Sequence, residues 1–150
     1  LVLFFKKDHP SLLTHEHQAR VYFADTDAGG VMYHAAYLAF AEAARTEFLR
    51  ATGLPHALML AEHGTMFMVR RVNMLYLRPA RLDDLVRVIT EPVFHSAATL
   101  RLVQTFYVGG RIGELDVTLV CVKLQTGQPA RIPPRWRAML AQSGGPAVGP

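Results

Sequence analysis

Two aspartates stand two residues apart in the segment Val21-Tyr-Phe-Ala-Asp25-Thr-Asp27-Ala-Gly29-Gly30-Val-Met-Tyr33-His34-Ala-Ala-Tyr37. The glycine pair after Asp27 marks a tight turn. An alanine-rich stretch follows at once, so a helix starts close by. Backbone N–H groups at a helix start have no partner inside the helix, and they favour developing negative charge. A carboxylate delivered beside such amides can act on an activated acyl group, with the amides taking the oxyanion. His34 falls at or near the first helical turn. The same types also have a plain structural use, because Asp ahead of a helix is a common cap or turn former. On residue types alone that use is the stronger of the two.

The surrounding elements must place this segment. Residues 16–23 alternate, with Ala19, Val21 and Phe23 on one face and Glu16, Gln18 and Arg20 on the other, which predicts a half-buried strand leading into the turn. From about Ala35 the period becomes helical. Tyr37, Phe40, Ala41, Ala44 and Phe48 form one stripe, with Glu42, Arg45, Glu47 and Arg50 mostly on other faces. Gly53 before Leu54-Pro55 stops that helix, and a second short one covers residues 56–62. Strands are expected over residues 65–77, 85–90, 99–108 and 115–124, with a hairpin at Gly109-Gly110 and a short helix over 135–141. One long apolar-faced helix ahead of an antiparallel run predicts an α+β fold with the sheet curled around the helix. The expected organisation is an N-terminal arm (1–14), one domain (15–141) and a loose tail (142–150).

Composition narrows the function classes. The chain has 150 residues, 51% hydrophobic and 19% charged, which excludes intrinsic disorder. A single cysteine, Cys121, excludes an internal disulfide framework. No apolar run approaches the ~20 residues of a membrane helix, and Leu1–Phe5 carries its charges, Lys6 and Lys7, on the wrong side for a secretory leader. The first residue is not Met, which reads as a processed or incomplete start. The expectation is a cytoplasmic protein. Net charge is +4, but the basic residues are scattered rather than gathered in a stripe, so nucleic acid is not an expected partner. The seven histidines show no metal-ligand spacing, and neither a metal nor a cofactor is expected.

The stretch Asp25-Thr-Asp27-Ala-Gly-Gly-Val-Met-Tyr-His34-Ala-Ala-Tyr37, continuing into Glu42-Ala-Ala-Arg45-Thr-Glu47-Phe-Leu-Arg50, resembles the signature of hotdog acyl-CoA thioesterases. It is most similar to the Tol–Pal-associated, YbgC-type branch of the 4-hydroxybenzoyl-CoA thioesterase family. Phe67-Met-Val-Arg70-Arg71, Pro79-Ala-Arg81-Leu-Asp83-Asp84 and Val120-Cys-Val122 resemble later family segments, so the likeness covers roughly residues 17–135. It implies a hotdog fold of about five strands and hydrolysis of an acyl thioester of coenzyme A or a carrier protein. It also implies a homodimer or homotetramer. The family's catalytic carboxylate, the second of its Asp-x-Asp, falls on Asp27, as nucleophile or as general base. The helix-start amides around Tyr33 and His34 then polarise the carbonyl, His34 assists, and Asp25 shapes the turn. Gly29, Gly30, Arg70, Arg71 and Arg81 are candidates for holding substrate.

The chain departs from the family pattern twice. Relatives often carry Tyr-Tyr-Glu where this chain has Tyr22-Phe23-Ala24, and Phe23 supplies no hydroxyl. A basic cluster that a more distant branch uses for phosphates is replaced by Phe94-His95-Ser96. The first departure keeps open a non-catalytic acyl-CoA or acyl-carrier binding protein of the same fold. A hotdog dehydratase, which carries a different helix signature, fits less well.

Overall fold

A computed structural model describes residues 13–143. The elements run β1 (His15–Arg20), α1 (Ala36–Ala51), α2 (His56–His63), β2 (Thr65–Tyr76), β3 (Leu85–His95), β4 (Thr99–Val108), β5 (Gly110–Lys123) and α3 (Pro134–Leu140), with short 3₁₀ turns at Phe23–Asp25 and Ala141–Ser143. The strands form one antiparallel sheet in the order β1-β3-β4-β5-β2. The α+β hotdog expectation holds, with α1 as the long helix against the sheet.

The helical stripe explains why α1 sits there. Tyr37, Phe40, Ala41, Ala44 and Phe48 are all buried, against inward residues of the sheet such as Val88, Leu102, Phe106 and Val117. Trp136 of α3 closes the far end, its indole N–H donating to the Leu54 carbonyl at 3.0 Å. Arg45, expected on another face, is buried at 6% exposure. Its guanidinium finds an internal partner, with Nη1 donating to Gln104 Oε1 at 2.8 Å, and it also pairs with Glu42. Gln104 in turn donates to the Ala41 carbonyl and to Thr90 Oγ1.

Three boundaries differ from the sequence reading. β1 ends at Arg20, because Val21 pairs with the Asp83–Asp84 turn and the chain then folds into the 3₁₀ turn. Phe23 therefore does not share an inner face with Ala19 and Val21; it is 83% exposed. Neither Tyr22 nor Phe23 lies on a strand. β3 continues through Pro92, accommodated by a bulge between Pro92 and Phe94. β5 begins at Gly110, straight out of the hairpin.

β2 also carries a bulge, between Val69 and Arg71. Phe67 and Val69 face the helix before it. Val72, Met74 and Tyr76 face the helix after it, opposite the buried Val117, Leu115 and the glycine at 113. The arm's residues 1–12 and the tail's residues 144–150 lie outside the described residues. Gln142 and Ser143 belong to the last 3₁₀ turn, where Ser143 is buried.

Candidate active site

The turn that carries Asp27 is a small closed loop. Thr26 bridges Met32, the Asp27 N–H donates to the Val31 carbonyl at 3.0 Å, and the Gly30 N–H returns to the Asp27 carbonyl at 3.0 Å. Closure requires a left-handed residue at Gly30, whose φ is +76°. A second strand of contacts ties the loop to the segment after β2. Val31 bridges Arg81, and the Met32 N–H donates to the Ala80 carbonyl at 2.8 Å. The Tyr37 hydroxyl accepts the Ala80 N–H at 3.3 Å, so the first turn of α1 is fastened to the same segment.

The two aspartates have different tasks in this loop. Asp25 is committed to architecture: its Oδ2 accepts the Tyr22 N–H at 2.9 Å and its carbonyl accepts the Tyr33 N–H at 2.7 Å. Asp27 is exposed. Its Oδ1 accepts the Gly29 N–H at 2.8 Å, while Oδ2 engages no described residue. A Cβ at position 29 would come within 3.1 Å of that Oδ1, so Gly29 leaves the carboxylate room to sit against the backbone.

α1 begins without a side-chain cap, its N-cap being Ala35. The Tyr33 amide is spent on Asp25, and the Ala36 amide on the Tyr33 carbonyl. The His34 and Ala35 amides bond to no described residue. The donors at the helix start are thus His34 and Ala35 rather than Tyr33. The His34 ring is exposed and leans on the Tyr33 ring at 4.4 Å between centroids.

Of the candidate substrate-binding arginines, Arg81 lies beside the turn through its bridge to Val31. Arg70 and Arg71 do not. They sit at the β2 bulge, five strand steps or about 17 Å along the strand from Tyr76, whose hydroxyl touches the helix start. Arg71 faces the outer surface with Asn73 and the Arg101–Asp116 ion pair. A separate small cleft opens beside the middle of α1, between Glu42, Arg45, His56, Phe67 and Val69. Burial pushes the His56 imidazole below its ordinary pKa, and its Nε2 has no hydrogen-bond partner among the described residues. No described group of three or more His, Cys, Asp or Glu gathers as a metal site. No described helix is long and apolar enough to cross a membrane.

A carboxylate oxygen and helix-start amides that bond to no described residue can serve acyl transfer, and residues 21–140 match the thioesterase-like superfamily. The chain belongs to that superfamily. It is 40% identical over 116 residues to the acyl-CoA thioester hydrolase YbgC of Escherichia coli, covering 76% of this chain and 86% of that protein. It is 38% identical to the acyl-CoA thioesterase YbgC of Haemophilus influenzae, over 79% of this chain and 88% of that one. The crystal structure of a probable thioesterase from Bartonella henselae superposes with a TM-score of 0.76 at 35% identity, over 80% of this chain and 99% of that chain.

Sequence reasoning did not single out two residues that the structure places at the helix start. Ala35 carries no signal beyond its place before a helix. Tyr76, at the end of β2, donates its hydroxyl to the His34 carbonyl at 2.8 Å, across 42 residues of chain.

Proposed function

We propose that the protein hydrolyses acyl-CoA thioesters, with the Asp27 carboxylate as the reacting group and the His34 and Ala35 amides as the oxyanion site. The YbgC relatives support the activity. The observation that carries the site is an exposed, half-engaged carboxylate in the turn that leads into α1, whose His34 and Ala35 amides bond to no described residue. With Asp27 as base, it takes a proton from water and the water oxygen attacks the thioester carbon. The carbonyl oxygen becomes an oxyanion facing the two amides. Collapse breaks the C–S bond and releases coenzyme A thiolate, which takes up the proton. With Asp27 as nucleophile, Oδ2 attacks first and water hydrolyses the resulting anhydride. The His34 ring, exposed next to the turn, is placed to assist proton movement, and Arg81 to meet the anionic part of the substrate.

The site is completed by a second copy of the chain. Tyr22, Phe23 and Tyr33 crowd around the turn with exposed rings. β2 is an edge strand whose Met68, Val69, Val72, Leu75 and Tyr76 are also largely exposed. An apolar edge of this length is a pairing surface. We read the active unit as a homodimer or a dimer of dimers.

The test is Asp27→Asn. Asparagine keeps an oxygen for the Gly29 N–H, so the loop persists while the negative oxygen is lost. The kcat for acyl-CoA hydrolysis should fall by about 10²–10⁴ with KM little changed. Asp25→Asn should cost stability rather than kcat. A verified Asp27→Asn protein with wild-type kcat would remove Asp27 from the chemistry. Single-turnover hydrolysis in ¹⁸O water identifies the nucleophilic route when water opens the anhydride at the Asp27 carbonyl, because label then stays in the Asp27 carboxylate, which the base route never labels.

A further inference from the structure

The Tyr76 hydroxyl donates to the carbonyl of His34. That carbonyl belongs to the same peptide group as the Ala35 N–H. In a trans peptide the C=O and N–H point in opposite directions from one rigid plane. A donor fixed on the oxygen therefore sets where the N–H aims. It also draws electron density toward the oxygen and strengthens the N–H as a donor, the polarisation expected along a chain of hydrogen bonds. We propose that Tyr76 is a positioning residue for thioester hydrolysis, holding and polarising the His34–Ala35 peptide so that the Ala35 N–H faces the developing oxyanion. This role rests on the thioesterase reading given above.

The surroundings fit the role. No other described donor reaches the His34 carbonyl, and α1 supplies no side-chain cap for its own start. The phenol is held from below by an edge-to-face contact with the Tyr37 ring at 5.2 Å, and Tyr37 in turn rests on the buried Phe106 at 5.5 Å. Desolvation raises the Tyr76 pKa, and the Tyr37 phenol adds to the rise, so the hydroxyl keeps its proton through the neutral range. The backbone under Tyr76 has no slack either. Its partner in β5 is Gly113, where a Cβ would come within 2.9 Å of the Leu75 carbonyl oxygen. The chain that ends in Tyr76 is therefore seated closely against β5, and the hydroxyl reaches the turn from a fixed platform.

The experiment is Tyr76→Phe, with Tyr107→Phe, on the far side of the sheet, as control. Phenylalanine keeps the ring and its contact with Tyr37, so only the hydroxyl is lost and the fold stands. Steady-state hydrolysis of an acyl-CoA series, melting temperature and the ¹⁵N–¹H signal of Ala35 are measured on the assembled protein. The expected result for Tyr76→Phe is a kcat about five- to tenfold lower, the rate counterpart of one ordinary hydrogen bond. KM and melting temperature should stay near wild type, with an upfield shift of the Ala35 amide proton, and Tyr107→Phe should change none of these. An unchanged kcat in Tyr76→Phe overturns the assignment, and so does a raised KM alone, which would make Tyr76 a substrate contact. Wild-type protein that cleaves no acyl-CoA overturns the thioesterase reading itself and this role with it.

Discussion

Gln104→Met tests what holds α1 at its orientation on the sheet. Gln104 is fully buried and makes three hydrogen bonds: to the Ala41 carbonyl at 2.9 Å, to Thr90 Oγ1 at 3.0 Å, and from Arg45 Nη1 at 2.8 Å. Methionine has nearly the same length and volume, so no cavity opens and the loss is one of polar partners alone. The Ala41 carbonyl is within α1 and keeps its helical bond, so its part of the cost is small. The Arg45 guanidinium loses a partner inside the core, at about 1.5–3 kcal/mol for a bond to a charged group, and the Thr90 hydroxyl loses about 1 more. Apolar burial of the new side chain offsets a fraction, which leaves a net destabilisation of about 2–4 kcal/mol. Urea unfolding at one fixed protein concentration reads this directly, since assembly would otherwise move the midpoint. The double variant Arg45→Met/Gln104→Met removes the charge along with its partner. It should therefore be more stable than Gln104→Met alone, as expected when a whole buried polar pair is replaced by apolar side chains. A loss below about 1 kcal/mol in Gln104→Met, or a double variant less stable than either single one, would refute this account of the network.

Two further outcomes follow from other parts of the molecule. Burial lowers the His56 pKa, with Glu42 opposing and Arg45 and Arg50 reinforcing the shift, so the unfolded chain takes up a proton at higher pH than the folded one. Stability should fall as the pH drops below about 6.5, and His56→Gln should flatten that slope; an equal slope in both proteins would contradict it. Lysines placed at Met68 and Leu75, both exposed and turned away from the helix, put charge on the outer side of the free edge strand β2. Sedimentation should show the assembled wild type converted to single chains, and a wild type already of one-chain mass at micromolar concentration would refute the dimer reading.

The α1 stripe was legible because five apolar side chains at helical spacing have one physical meaning, burial on a sheet. The Asp27 turn was legible because paired glycines after an aspartate leave few backbone paths. Phe23 was misplaced because strand alternation was extended past Arg20. The event that ends the strand is pairing of Val21 with residues 83 and 84, more than sixty positions away. Arg45 was placed off the apolar stripe, and its burial likewise depends on a distant contact. A buried guanidinium needs a partner, and its partner Gln104 belongs to another element with no local pattern to announce it. The extension of β3 through Pro92 was hidden by the usual meaning of proline, which a bulge suspends. Tyr76 could have been found only by knowing that the end of β2 passes under the start of α1.

The bulge at Arg70 gives β2 a property that substitutions do not probe. Before it, side chains at odd positions face α1; after it, those at even positions do, Tyr76 among them. Deleting a single residue there would let β2 pair with β5 as a regular ladder, and the strand could even gain a hydrogen bond. Every residue beyond the deletion would keep its present partner and face, Tyr76 still opposite Gly113 and turned toward the helix start. The interval between Val69 and Tyr76 can therefore lose one residue without moving the Tyr76 hydroxyl from the helix start, whereas a residue gained there must be taken up by a second bulge or turn Tyr76 to the outer surface.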